Sequence, residues 1–102
     1  MEFGIEERYL SELRNILSSI PEIEEAVIYG SRARGDYKPT SDIDLTLKGE
    51  HLTDRQLFLL REKLYASRLP YLCDTSIFSH LRSRPFVNNI LRDGVVFYCR
   101  GN

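Results

Sequence analysis

Apolar positions recur at helical spacing over residues 5 to 18. Ile5, Tyr9, Leu10, Leu13, Ile16 and Leu17 share a face, Glu6, Glu7, Glu12 and Arg14 fall between them, and Pro21 ends the pattern. A first helix is expected there. In EEAVIYG the period changes, and Ala26 to Tyr29 read as a short buried strand closed by Gly30. DIDLTL, residues 42 to 47, alternates strictly, with Ile43, Leu45 and Leu47 on one face and Asp42, Asp44 and Thr46 on the other. Thr53 and Gln56 have the spacing of a capping box, and Leu57, Leu60 and Leu64 carry a second long helix to about Ser67, before Pro70. YLCDTSIF, residues 71 to 78, reads as a third strand. A short helix over 86 to 92 follows Pro85, Asp93 and Gly94 turn the chain, and VVFYC forms a last strand. No repeat, linker or low-complexity tract interrupts this order, so an α and β mixture around one sheet is expected, in one domain over residues 1–102.

The 102 residues carry 14 basic and 15 acidic side chains, a formal net charge of −1. That balance gives no broad positive footprint and argues against nucleic acid as the main partner. Apolar runs reach about five residues, far short of the roughly 20 that span a bilayer, and MEFGIEERYL carries acids where a secretory leader needs bases. A cytoplasmic protein with no membrane partner is the expectation. Cys73 and Cys99 are too few and too loosely spaced for a disulfide framework or a four-ligand zinc site. They read as small reduced core residues, and His51 and His80 as surface histidines.

Candidate chemistry lies in IYGSRARGDYKPTSDIDLTL, residues 28 to 47. Residues i and i+2 of a strand point the same way with Cα atoms about 6.5 Å apart, so Asp42 and Asp44 can converge on divalent cations. Two like charges set side by side cost stability unless a cation or a proton stands between them. Carboxylate oxygens suit Mg²⁺ or Mn²⁺, and a two-metal site needs several of them. Asp74, in the third strand, is the candidate third ligand and the candidate general base for an attacking hydroxyl. Gly30 permits close backbone approach. If residues 31 to 34 make a helical turn, its free N–H groups and the Ser31 hydroxyl form a phosphate cradle, with Arg32 and Arg34 as nearby cationic donors. A solvated face or an ion pair to Glu24 or Glu25 explains either arginine about as well.

GSRARGDYKPTSDIDL resembles the Gly-Ser, ten residues, Asp-x-Asp signature of the DNA polymerase beta-like nucleotidyltransferase superfamily, in particular its minimal, single-domain (MNT) branch. Asp74 and the ending ILRDGVVFY extend the resemblance over about residues 25 to 98. The resemblance implies an α+β nucleotidyltransferase fold, a mixed β-sheet flanked by helices. It also implies that Ser31 helps hold a triphosphate, that Asp42, Asp44 and Asp74 form a catalytic triad around two Mg²⁺ ions, and that a nucleoside monophosphate passes from an NTP, most simply AMP from ATP, to a hydroxyl. Larger relatives carry an acceptor-binding domain for which this chain has no room. In the minimal branch the partner is commonly a helical HEPN-domain protein, sometimes a toxin adenylylated on a tyrosine by its antitoxin. A small-molecule acceptor of aminoglycoside type and a non-catalytic nucleotide-binding partner of a HEPN protein are the alternatives. FVNNILRDG reads as a helix with its terminating glycine that could also frame the nucleotide, and some of Tyr9, Phe58, Tyr65, Phe78 and Phe86 could form a partner surface.

Overall fold

The computed structural model describes residues 1–100, and the elements follow the expected order. They are helix α1 (Glu7–Ser18), strand β1 (Glu25–Tyr29), the one-turn helix α2 (Ser31–Arg34), β2 (Ile43–Lys48), α3 (Asp54–Ala66), β3 (Cys73–Ile77), α4 (Arg84–Asp93) and β4 (Val95–Cys99). The strands form one mixed sheet in the order β3-β2-β1-β4. β1 lies antiparallel to both β2 and β4, whereas β2 and β3 run parallel through the α3 crossover.

Element boundaries shift where local chemistry intervenes. Ile5 does not begin α1, because its N–H is taken by the Glu2 carbonyl at 2.8 Å in a tight turn with Phe3 and Gly4 at φ of 57° and 69°. The Thr53 capping box forms, the Gln56 side chain accepting from the Thr53 N–H at 2.8 Å, and α3 starts where expected. β3 is shorter than expected because Phe78–His80 coil into a 3₁₀ turn. α4 begins earlier, since the Ser83 hydroxyl caps the Phe86 N–H and Pro85 is tolerated in a first turn, where no N–H donor is needed.

The two faces of the sheet are covered unequally. On one, Leu10, Leu13 and Leu17 of α1 and Leu60 of α3 meet Ile28 of β1 and Ile43, Leu45 and Leu47 of β2, all fully buried. Each such side chain contributes about 1.5–3 kcal/mol by leaving water. Arg61 of α3 adds a polar tie, donating to the Thr75 hydroxyl at 3.1 Å and to the Thr75 carbonyl at 2.8 Å. On the other face α4 packs, and Val27, Tyr29 and Ile90 make a small separate cluster with Phe78 and Leu81 partly buried against it. No helix of the described residues is long and apolar enough to cross a membrane. Both histidines are exposed as expected, but only Cys73 is partly buried. Cys99 is exposed, which corrects its expected place in the core, because it ends β4, the edge strand of the sheet.

Candidate active site

The thinly covered face carries the acids. β2 is an inner strand, and the parallel register sets Asp44 directly opposite Asp74, while the antiparallel register sets Tyr29 opposite Asp44. Tyr29, Asp44 and Asp74 thus form one row across three adjacent strands, at the end of the sheet where β1 finishes and β2 and β3 begin. Two residues further along, Ser76 donates to the Thr46 hydroxyl at 3.0 Å, and Thr46 is fully buried. Asp42 lies just ahead of β2 and is exposed, not on the strand itself.

The charges are strained as the spacing anticipates. Burial, then Asp74, then Asp42 push the Asp44 carboxyl above its ordinary value, and Arg34 pulls it partly back. Burial, with Asp74 and Asp44 behind it, lifts the Tyr29 phenol to about 12, against a weaker pull from a hydrogen bond with Ser76. The Cys73 thiol is pushed up to about 11 by burial and by Asp42 and Asp44. Asp74 and Asp42 thus both bear on Asp44. Among the described residues, however, no three His, Cys, Asp or Glu side chains stand close enough to cage a cation as they lie. Asp44 and Asp74 are brought together, and Asp42 stands off at the rim. The donor set, hard carboxylate oxygens with an uncompensated charge, fits Mg²⁺.

Gly30 fits the turn for two reasons. Its φ of 78° disfavours any L side chain, and a Cβ there would collide with the Asp44 carboxylate. The backbone thus approaches the acid directly. Ser31 to Arg34 make the expected helical turn, closed by Gly35 at φ 95°. A cleft of about 220 Å³ opens there, lined by Tyr29, Gly30, Arg34, Asp44, Asp74, Phe86, Asn89 and Asp93.

The two arginines of the turn part company. Arg34 lines the cleft, with Asp36 at 3.2 Å and Asp93 at 3.7 Å. Arg32 does not, which corrects its expected place in the phosphate cradle. It is 2% exposed, and its guanidinium donates to the carbonyls of Ser41 at 2.9 and 3.0 Å, Pro39 at 3.2 Å, Phe3 at 2.9 Å and Gly4 at 3.4 Å. Tyr37 and Tyr71 rings lie 5.3 and 4.9 Å from it. With its donors committed, Arg32 binds loop 35–41 to the N-terminal turn. Neither arginine pairs with Glu24 or Glu25. Tyr29, Phe86, Asn89 and Asp93 carry no motif of their own; only the reading that 86–94 could frame a nucleotide pointed at α4. Phe86 stands edge-on to Tyr29, ring centroids 5.6 Å apart.

Strands bearing in-register carboxylates, faced by a glycine turn after β1, define a class of phosphoryl-transfer site, and comparison with known proteins agrees. A family model described as polymerase beta, nucleotidyltransferase matches residues 11–102. A Methanocaldococcus jannaschii protein, provisionally named a protein adenylyltransferase, is 31% identical over 98 residues, covering 91% of this chain and 98% of that one. The fold is also that of a crystallised toxin-antitoxin bound to AMP-PNP, at TM-score 0.71 and 21% identity over 88% of this chain and 73% of the other. An MNT antitoxin in complex with a tri-AMPylated Shewanella oneidensis HEPN toxin superposes at TM-score 0.67 and 18% identity, covering 93% of this chain and 73% of that one. The chain belongs to the polymerase beta nucleotidyltransferase family and is a nucleotidyltransferase.

Proposed function

We propose that the protein is a Mg²⁺-dependent adenylyltransferase that moves AMP from ATP to a tyrosine hydroxyl of a HEPN-domain partner, as the antitoxin of a toxin-antitoxin pair. The observation that carries this reading is the in-register pair Asp44 and Asp74, raised against the Gly30 turn in the cleft that also holds Arg34. The similarity to a protein named for adenylyl transfer to protein favours AMP and a protein acceptor. Neighbours described as toxin-antitoxin complexes, one with an AMPylated HEPN toxin, favour the partner.

In the reaction the acceptor oxygen attacks the α-phosphorus in line, the bond to the β-phosphate breaks, and pyrophosphate leaves. Asp74 takes the hydroxyl proton. Ser31 and the N–H groups of α2, with Arg34, hold the phosphate oxygens and keep the α-phosphorus turned toward that base. Asp42, Asp44 and Asp74 would hold Mg²⁺, which when bound neutralises charge on the entering and leaving oxygens. Phe86 and Asn89 wall the cleft from the α4 side.

Purified protein, a co-expressed HEPN partner, Mg²⁺ and ATP labelled at the α-phosphate test the reading. Label on a partner tyrosine, lost with EDTA and with Asp42→Asn, is the expected result. No transfer to protein, with pyrophosphate released when hydroxylated antibiotics are supplied, would replace the protein acceptor by a small molecule.

A further inference from the structure

Four charged side chains of alternating sign form a chain whose two inner members, Arg34 and Asp93, line the cleft. Asp36 accepts from Arg34 Nε at 3.2 Å, Arg34 Nη1 lies 3.7 Å from Asp93 Oδ2, and the two Asp93 oxygens accept from Arg92 Nε and Nη2 at 3.0 and 2.9 Å. Exposure separates the members: the Asp93 side chain is 13% exposed, against 43% for Arg34 and 67% for Arg92. Asp93 is therefore the enclosed member, unlike an ordinary surface ion pair.

Its backbone is also the better anchored. Asp93 closes α4, and Gly94, whose N–H donates to the Ile90 carbonyl at 2.7 Å, leads at once into β4, which is paired to β1. Arg34 ends a single helical turn and is followed by an unpacked glycine, so its long side chain must lose rotamer freedom before it can serve one geometry. Arg34 is also the one cation among the residues lining the cleft, which include Asp44, Asp74 and Asp93. A fixed partner is what such a side chain needs to present its donors to an anion.

We propose that Asp93 is a positioning residue for the triphosphate, holding the Arg34 guanidinium over the cleft while Arg92 neutralises Asp93 itself. This rests on the nucleotide reading of the cleft given above. A carboxylate beside a polyphosphate would ordinarily repel it. Here Arg92 donates to both oxygens while Oδ2 also faces Arg34, and the Arg92 hydrogen bonds, with a smaller pull from Arg34, hold the Asp93 carboxyl below its usual range.

The test is calorimetric titration of α,β-methylene-ATP with Mg²⁺ into the full chain, as wild type, Asp93→Asn, Asp93→Glu, Arg34→Gln and the Arg34→Gln/Asp93→Asn double variant. Arg34→Gln should weaken binding about thirtyfold and Asp93→Asn about tenfold, with Asp93→Glu close to wild type. The double variant should bind no more weakly than Arg34→Gln, because Asp93 acts only through Arg34. In transfer assays the Asp93→Asn loss should fall on KM for ATP rather than on kcat. Wild-type affinity in Asp93→Asn, or losses that simply add in the double variant, overturns the proposal. So does an Arg34→Gln variant that binds normally, in which case the cleft keeps its nucleotide reading. If wild type itself binds no analogue, that reading fails and the proposal with it.

Discussion

The two faces of the sheet are built to opposite rules. The face under α1 and α3 is a continuous apolar layer, whereas the face under α4 is a small cluster beside a row of polar and acidic groups. The first contributes most of the folding free energy. The second gives some of it up, holding Asp44 where burial and two neighbouring carboxylates disfavour its charge. On the proposed reading the site attracts cations and triphosphate, and such a site cannot also be electrostatically relaxed when empty.

Substitutions on each face should separate activity from stability. Asp74→Asn should lower kcat for adenylyl transfer by about 10²–10⁴, the usual worth of a general base, while circular dichroism shows the fold intact. Leu45→Ala, on the opposite face of the strand that carries Asp44, should do the reverse, costing about 3 kcal/mol in urea unfolding while the folded fraction keeps its kcat. Equal damage to both properties by either variant would show that the faces are not separable. Arg32→Gln should cost about 2–3 kcal/mol, since buried carbonyls lose a charged donor, whereas Arg34→Gln should change stability by less than about 0.5 kcal/mol.

The smallest effect has the opposite sign. Asp44→Asn should slightly stabilise the metal-free protein near neutral pH. Because the folded carboxyl is raised above its ordinary value of 3.8, the folded state binds the proton more tightly than the unfolded chain does. Its contribution to stability is greatest in acid and declines as pH rises through that value. The difference between wild type and variant, measured across the carboxylate range, should show that decline. Addition of Mg²⁺ should stabilise wild type more than the variant.

The sequence shows these rules unevenly. Alternation in DIDLTL separates an apolar from an acidic set, and the Thr53 box marks a helix start, because both signals are local. The same string cannot tell Arg32 from Arg34. Their fates differ because loop 35–41 and the N-terminal turn wrap around one and leave the other facing the cleft, a long-range arrangement. Asp93 reads as half of an ordinary Asp-Gly turn, and Tyr29 as one more apolar strand residue. The β1–β2 register sets Tyr29 beside Asp44, and the closing of α4 and β4 against β1 brings Asp93 to the cleft. Asp42 was placed on a strand whose pairing begins one residue later, with Ile43 donating to the Leu72 carbonyl at 2.9 Å.

The unequal cysteines make a spectroscopic handle. Cys73 is half shielded with its thiol pushed up to about 11, while Cys99 is open to solvent on the outer strand. A maleimide fluorophore at neutral pH should therefore attach at Cys99 with no engineered residue, on the sheet's far border from β3. Docking of a large acceptor could then be followed by anisotropy, with the dye clear of the acidic row.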